Sequence, residues 1–362
     1  MRKRHPGVGF FNVWRICLIV VAGGVPFVSG CASGRITADP VYFPASGGPA
    51  HVVHLKSFNR IDDLVAIEPT FVELIRGERY TSRIESAAGV TARGENLYVC
   101  DTDQGVIHVW NLTTGNTRRL GQTGELRLAT PVDVAVGADG SVYVADTGLG
   151  AVVALRANGA VPVRLRRETD ASFRPVSLAI SDDKLYVADL ESASIVVFDT
   201  STGGVTTTLT LSDKTGDAVM PMGVAIGPKG NLFVSDAMGG RVVVLSADDG
   251  KLIRTMSRRG NRLGDMGQPK HLDVSADGTV FVADSEFAHV HLYNGDGQLL
   301  MLIGGPDDRA GGTPMPLGVA VAEKSATLER LVPAGFEAQY FVVVTNSLGS
   351  KRINLFAVGM KR

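Results

Sequence analysis

The sequence predicts an all-β fold, a six-bladed β-propeller, and three observations lead to this prediction. A unit of two apolar strands around a polar turn recurs along the chain and is clearest in Pro131 to Asp146. Each copy continues with a third strand and a tight turn, for example Asp248-Asp249-Gly250. The ends of the six copies follow one another at steps of 45, 43, 47, 48 and 62 residues. Repeats of about 40–50 residues made of strands and turns are typical of propeller blades.

The residue that ends each copy is acidic in five cases and an asparagine in the last. These residues are Asp101, Asp146, Asp189, Asp236, Asp284 and Asn346. A carboxylate at a strand end accepts hydrogen bonds from backbone N–H groups of the following loop. Because one such residue recurs per blade, on a ring too wide to share one metal ion, we expect these six to hold turns.

The last copy ends at Arg362 without a fourth strand. The stretch His51 to Phe58 alternates like a strand and lies outside the repeats. We therefore predict that it pairs as the outer strand of the last blade and closes the ring. A closed ring protects strand edges that an open array would expose.

The repeat resembles the NHL repeat. The resemblance rests on Pro-Val-Asp-Val-Ala-Val at 131–136 and Val-Tyr-Val-Ala-Asp at 142–146, and it covers about residues 89–358. It implies a six-bladed propeller of the NHL type. The sixth copy departs from the pattern through an insertion from Ala322 to Gln339 and through Asn346 in place of Asp. NHL propellers include binding scaffolds and several enzymes, so the resemblance does not decide the activity.

The N-terminus is typical of a lipoprotein signal peptide over residues 1–30. Basic residues precede an apolar run from Ile16 to Val28, which is too short to span a bilayer. The run ends in Val-Ser-Gly-Cys, which resembles a bacterial lipobox and implies a diacylated Cys31 as the mature N-terminus. An ordinary signal peptide with a nearby cysteine is the alternative. Residues 31–50 are then expected to be a flexible tether, and 51–362 the propeller, exported and anchored to the outer membrane.

Charge and cysteine content restrict the function further. Without residues 1–30 the chain has 32 basic and 37 acidic side chains, a net charge of −5. This balance gives no support for nucleic-acid binding. Of the three cysteines, Cys17 lies in the signal peptide and Cys31 is the expected anchor. Cys100 replaces an alanine of other copies, so we expect a buried core residue and no disulfide.

The inner strand of each blade begins at one face of the ring, around the channel mouth. There the repeats place Asp133, Ser177 and His271 among glycines. Asp133 and His271 could bind a metal ion or act as an acid–base pair. The alternative is a solvated lining of the channel.

The connections into the blades carry arginines that form a candidate basic face for an anionic glycan, a peptide or an envelope protein. These residues are Arg164, Arg166, Arg167, Arg258, Arg259 and Arg262. Acidic residues lie among them, so a solvated loop set of mixed charge is the alternative.

The leading hypothesis from the sequence is a lipid-anchored binding scaffold of the cell envelope, with no catalytic residue and no cofactor. The alternative is a Ca- or Zn-dependent hydrolase or lyase at the channel mouth. That alternative follows from the similarity of the repeat to calcium-dependent sugar lactonases and zinc-dependent amidoglycolate lyases. A role in an exported redox complex finds no support, since the chain has no Cys-x-x-Cys-His haem motif.

Overall fold

The structure is a computed structural model that describes residues 40–44, 51–64, 83–122, 127–167 and 172–362. These residues form six antiparallel sheets, and the inner strand of each sheet contacts the inner strands of two other sheets. The contacts close into a ring, which confirms the prediction of an all-β six-bladed propeller. Residues 1–39, with the expected signal peptide and Cys31, lie outside the described part.

The first five blades each contain four strands in sequence order from the inner to the outer edge. The strands of blade 1 are Ala87–Arg93, Asn96–Asp101, Val106–Asn111 and Thr117–Leu120. The strands of blade 2 are Pro131–Val136, Val142–Asp146, Ala151–Leu155 and Val163–Leu165. The strands of blade 3 are Pro175–Ser181, Lys184–Asp189, Ser194–Asp199 and Val205–Thr210. The strands of blade 4 are Pro221–Ile226, Asn231–Asp236, Arg241–Ser246 and Leu252–Met256. The strands of blade 5 are Pro269–Val274, Val280–Asp284, His289–Tyr293 and Leu299–Gly304.

Blade 6 combines the two ends of the propeller. Its inner three strands are Pro316–Ala322, Phe336–Asn346 and Ile353–Lys361. The fourth strand is Val52–Phe58, which pairs antiparallel with the third and confirms the predicted closure of the ring. Phe58 also packs on Trp110 of blade 1, with 5.9 Å between the ring centroids. The closing strand therefore joins blade 6 to blade 1 as well as completing its own sheet.

A short fifth strand, Val41–Phe43, pairs with the closing strand. The tether expected over residues 31–50 is therefore wrong at these positions. Val41 lies opposite His54, while Tyr42 packs near Phe336 with ring centroids 6.3 Å apart. Composition favours a tether because Gly, Pro and Ser surround this segment, but its three large apolar residues provide enough surface to pair with an exposed strand edge.

Helices are few and short in the described residues. They are a 3₁₀ turn at Ile61–Asp63 and the α-helical turns Ser212–Thr215 and Ala326–Glu329, of which the last lies in the predicted insertion. No helix in the described ranges is long and apolar enough to cross a membrane.

The core lies between neighbouring blades because side chains of a strand point alternately to its two faces. In the inner strand of blade 2, Val134 and Val136 pack toward blade 1, and Ala135 packs toward blade 3. Cys100 is fully buried between blades 1 and 2 and forms no disulfide. It is a small core residue, as its alanine-like position in the repeat predicts.

We predict that a charge on the buried face of the closing strand opens the ring. Val53 is fully buried between blades 6 and 1. Val53→Asp places an unpaired carboxylate there and should lower the free energy of unfolding by about 3–5 kcal/mol. Lys56→Asp adds the same side chain at an exposed position of the same strand and should change it by less than about 0.5 kcal/mol. Denaturant unfolding measures both. Equal effects would contradict the closing role of the strand.

Candidate functional site at the channel mouth

A bulge lies near the start of each inner strand and aims side chains at the channel mouth. In blade 2, Pro131 pairs with Asp146 but Asp133 pairs with Ala145, so Val132 is an extra residue in the ladder. Register shifts occur at the same place in the other blades. Bulges redirect side chains next to functional sites. Here the second residue of each inner strand turns toward the mouth, and the third residue turns toward the axis.

Asp133 and His271 meet across the axis of the ring. They belong to blades 2 and 5, which are opposite one another in a ring of six. The His271 Nε2 lies 3.2 Å from the Asp133 Oδ2, and the two side chains are 13% and 1% exposed. We call this contact the axis pair. These two side chains are largely buried and contact each other instead of forming a solvated lining.

The hydrogen bonds of His271 fix its protonation. Its Nδ1–H donates to the carbonyl oxygen of Val319 at 3.0 Å, and Nε2–H faces the carboxylate of Asp133. Burial alone would lower the pKa of His271. The charge and the hydrogen bond of Asp133 outweigh it, helped by the charge of Asp273 and the Val319 carbonyl, and the pKa is raised. The contact with Asp133 therefore favours the protonated form of His271.

Ser177 and the remaining channel side chains bond to the free edges of the inner strands. The Asp133 carboxylate accepts from Ser177 Oγ and from the Leu178 N–H, each at 2.8 Å. Ser177 Oγ in turn accepts the Val224 N–H of the next blade at 3.1 Å. Asp273 accepts the Val321 N–H at 2.8 Å. These bonds join neighbouring blades at the channel, where the inner strands have no neighbouring strand.

Glycine is required where these strands approach one another. Gly89 and Gly223 occupy the same repeat position as Asp133, in blades 1 and 4. A Cβ on Gly223 would lie 2.7 Å from the Lys270 carbonyl oxygen, and a Cβ on Gly89 would overlap the Asp133 carboxylate. The small residues therefore leave the room in which the axis pair forms.

Two cavities lie along the channel, and His271 lines both. The cavity at the mouth has a volume of about 280 Å³, and we call it the mouth cup. The second cavity, the lower chamber, has about 480 Å³ and opens at the other end of the inner strands. Its wall includes Asp273, whose pKa burial raises against the hydrogen bonds it accepts from Val321 and Val274.

The wall of the mouth cup is a ring formed by the second residue of the inner strand of each blade. This bulge ring consists of Ala88, Val132, Val176, Met222, Lys270 and Leu317. Five of the six are apolar and the sixth is a lysine. Burial lowers the pKa of Lys270, although the charge of Asp284 opposes the shift. Arg174, from the connection into blade 3, also lines the cup and is exposed.

The sequence identifies Lys270 only as one of the charges in the connections into the blades, and it does not identify Arg174. The second position reads Ala, Val, Val, Met, Lys and Leu along the six copies. A lone charged residue in an otherwise apolar repeat position was the signal that could have identified Lys270.

The residues at the axis do not fit a calcium or zinc ion. Calcium takes six to eight oxygen ligands, and zinc takes three or four protein ligands. Asp133 already accepts the N–H groups of Val134 and Leu178 and the Ser177 hydroxyl, and it also faces His271. No group of three or more His, Cys, Asp or Glu side chains in the described ranges could hold a metal ion.

The repeated aspartates lie away from the channel, each fully buried. Asp146 accepts the N–H groups of Ala129 and Thr130, which enter the blade, and of Leu149 in the following turn, at 2.7–2.9 Å. Asp101, Asp189, Asp236 and Asp284 bond in the same way. Asn346 differs, because its buried amide has no hydrogen-bond partner among the described residues.

Most arginines of the expected basic face are engaged within the chain. Arg166 donates to the Leu149 carbonyl and Arg167 to Asp189. Arg258 pairs with Asp265 and Arg259 with Glu286, at 3.3 and 3.2 Å. The guanidinium groups of Arg164 and Arg262 are exposed and have no such partner in the described part of the chain. An anionic or protein partner on this face stays a prediction.

A family model that describes the SMP-30/gluconolactonase/LRE-like region matches residues 70–263, more than half of the chain. The chain belongs to this family. The NHL resemblance stays an expectation from the repeat pattern. Comparison with curated proteins gives no match.

Solved structures with a similar fold include three propellers of low identity. A catalytically inactive virginiamycin B lyase from Staphylococcus aureus with quinupristin has a TM-score of 0.53 and 10% identity, covering 75% of this chain and 80% of that one. A streptogramin B lyase has a TM-score of 0.53 and 12% identity, and the match covers 76% of this chain and 94% of that one. The calcium-binding protein regucalcin from Agrobacterium tumefaciens has a TM-score of 0.54 and 13% identity, and the match covers 77% of this chain and 92% of that one. At these identities the likeness shows the fold.

We predict that the axis pair stabilises the protein below the folded pKa of His271. This pKa is raised above 6.5, so the contribution is complete at pH values below 6.5 and is lost as the pH rises through the folded value. His271→Gln should cost about 3–5 kcal/mol near pH 6, because it leaves the Asp133 charge buried and unpaired. The cost should shrink as the pH rises.

Denaturant unfolding of both proteins across pH 6 to 9 measures this difference. Ser285→Ala removes a hydroxyl that bonds to Gln268 and does not contact the axis pair. It serves as the control and should show a difference that does not change with pH. A cost of His271→Gln that is constant or grows with pH would contradict the ion pair.

Proposed function

We propose that this protein is an enzyme of the lactonase or lyase type that acts on a small, negatively charged substrate in the mouth cup. The observation that carries the proposal is the cup itself, a cavity on the ring axis lined by Arg174, Lys270 and His271. Membership of the SMP-30/gluconolactonase/LRE-like family and the fold shared with two lyases support an enzyme better than the pure binding scaffold expected from the sequence.

The charges in the cup suit reactions in which negative charge develops on a carbonyl oxygen. Such charge appears when water attacks a lactone and when a proton leaves the carbon next to a carbonyl. Fixed cations around a small, partly desolvated cavity stabilise it. Arg174 at the rim can bind a carboxylate through two parallel N–H groups. Lys270 in the bulge ring lines the same cup and places its amine next to the reacting carbonyl.

The axis pair forms the floor of the cup and supports the site from below. His271 is held by Asp133 and Val319 through both ring nitrogens, so its ring keeps a fixed orientation. It shapes the cavity and closes it toward the lower chamber. Because the donors at the axis do not fit calcium or zinc, the proposed chemistry uses the side chains of the cup.

The proposal predicts that Arg174 controls the affinity for acidic substrates. Ring opening of lactones would be followed by acid release, and elimination by the absorbance of the unsaturated product, with substrates that do or do not carry a carboxylate. Arg174→Gln should raise KM for the acidic substrates by about tenfold or more, since a charge-assisted hydrogen bond contributes about 1.5–3 kcal/mol. It should leave neutral substrates unchanged.

Arg93→Gln is the matched control, since Arg93 is an exposed arginine at the wall of the lower chamber. If Arg93→Gln raises KM and Arg174→Gln does not, the site lies in the lower chamber and the proposal fails. Chelation of metal ions should leave the rates unchanged, and a complete loss that calcium restores would also contradict the proposed chemistry.

We propose that the enzyme is exported and anchored through Cys31, on the strength of the Val-Ser-Gly-Cys lipobox. Mass spectrometry of the N-terminal peptide should find a diacylated Cys31 in the membrane fraction. Cys31→Ser should abolish the acylation and the membrane association, whereas Cys17→Ser in the signal peptide should change neither. A mature N-terminus at another residue would contradict the anchor.

A further inference from the structure

The bulge ring contains one residue that does not fit its surroundings. Ala88, Val132, Val176, Met222 and Leu317 present apolar side chains to the mouth cup, and Lys270 occupies the same position in blade 5. An ammonium group surrounded by apolar side chains is poorly solvated. Such a position costs stability, so a lysine there suggests a chemical role.

Lys270 has no partner that would hold it as a structural cation. Its side chain forms no hydrogen bond or ion pair within the residues that the structure describes, although its carbonyl oxygen accepts from Ser235. Asp284, the aspartate that acts on it electrostatically, already accepts the N–H groups of Gly267 and Gln268 in the connection into blade 5. Burial lowers the pKa of Lys270, and the lower pKa increases the fraction of neutral amine at neutral pH.

The neighbours of Lys270 restrict what can reach it. The cup has a volume of about 280 Å³ and is bounded on the axis by His271, so it admits a small molecule. Arg174 lines the same cup, and its guanidinium group has no hydrogen bond or ion pair among the described side chains. A carboxylate that binds Arg174 leaves the rest of a short molecule inside the bulge ring, near the amine.

We propose that Lys270 is a nucleophilic amine and that the mouth cup takes a small carboxylate with an adjacent aldehyde or ketone group, a 2-oxo acid. This inference rests on the proposed function in one respect, that the mouth cup is the reaction site, and it selects the lyase type of reaction. The neutral amine of a desolvated lysine is the usual nucleophile toward carbonyl substrates.

The reaction balances without a further oxidant or reductant. The nitrogen lone pair of Lys270 forms a bond to the carbonyl carbon while the C=O π pair moves to oxygen. A proton then passes from nitrogen to oxygen, one more proton is taken up, and water leaves to give a protonated imine. The imine accepts the electron pair of a neighbouring C–H or C–C bond, so that an enamine forms while the proton or the second carbon fragment departs, which is the step a lyase needs. Protonation of the enamine carbon and hydrolysis of the imine then restore the amine.

Reductive trapping tests the inference independently of turnover. The purified protein is incubated with glyoxylate and borohydride at pH 7, and peptide mass spectrometry follows the carboxymethyl group on each lysine. We expect Lys270 to react measurably faster than the exposed Lys184 and Lys351, because burial lowers its pKa and so raises its neutral fraction. Modification of the three lysines at equal rates would overturn the inference.

Two variants separate the amine from the carboxylate site. Lys270→Met restores an apolar bulge ring, so it should fold and should lose the fast adduct while Lys184 and Lys351 still react. Arg174→Gln should slow trapping of glyoxylate at Lys270 by about tenfold and leave trapping of acetaldehyde unchanged. Equal effects on both aldehydes would overturn the 2-oxo acid specificity. A fast adduct in a protein that turns over no substrate would refute the proposed activity but not the reactive amine.

Discussion

The inner strands of the propeller have one edge with no neighbouring strand, and the rest of the channel depends on how those edges are satisfied. Backbone N–H and C=O groups there face the axis and need partners. Side chains from adjacent blades supply some of them: Asp133 for Leu178, Ser177 for Val224, Asp273 for Val321 and His271 for Val319. Thr345 bonds to the Ala88 carbonyl in the same way and joins blade 6 to blade 1. Polar residues at the centre of this all-β ring therefore hold the blades together.

The same constraint shapes the candidate site. Because Asp133 must reach the next blade, it lies at the axis, where the Nε2 of His271 from the opposite blade lies 3.2 Å from its carboxylate. The ion pair closes the channel and makes a floor for the mouth cup. The bulges that bring these residues inward also turn the second residue of each blade toward the mouth, and in blade 5 that residue is Lys270. Structural bonding and the candidate chemistry thus occupy adjacent positions of one strand.

Much of the fold follows from the sequence, because a blade repeats its strand pattern within a short stretch. The repeat predicts the strands, and the missing fourth strand of the last copy predicts the pairing of Val52–Phe58. The contact between Asp133 and His271 does not follow, since it depends on side chains 138 residues apart that meet only when the ring closes. The strand Val41–Phe43 escaped prediction because three residues are too short for a periodic pattern.

The most direct test of this account is an NMR measurement of the two ring nitrogens of His271 at pH 6.5, with and without calcium. The axis pair predicts that both nitrogens carry protons in most molecules, bonded to Asp133 and Val319, and that calcium changes neither signal. A neutral ring with a bare Nε2, or a calcium-dependent loss of the Asp133 contact, would contradict the account. Either result would instead support a metal-dependent site at the axis.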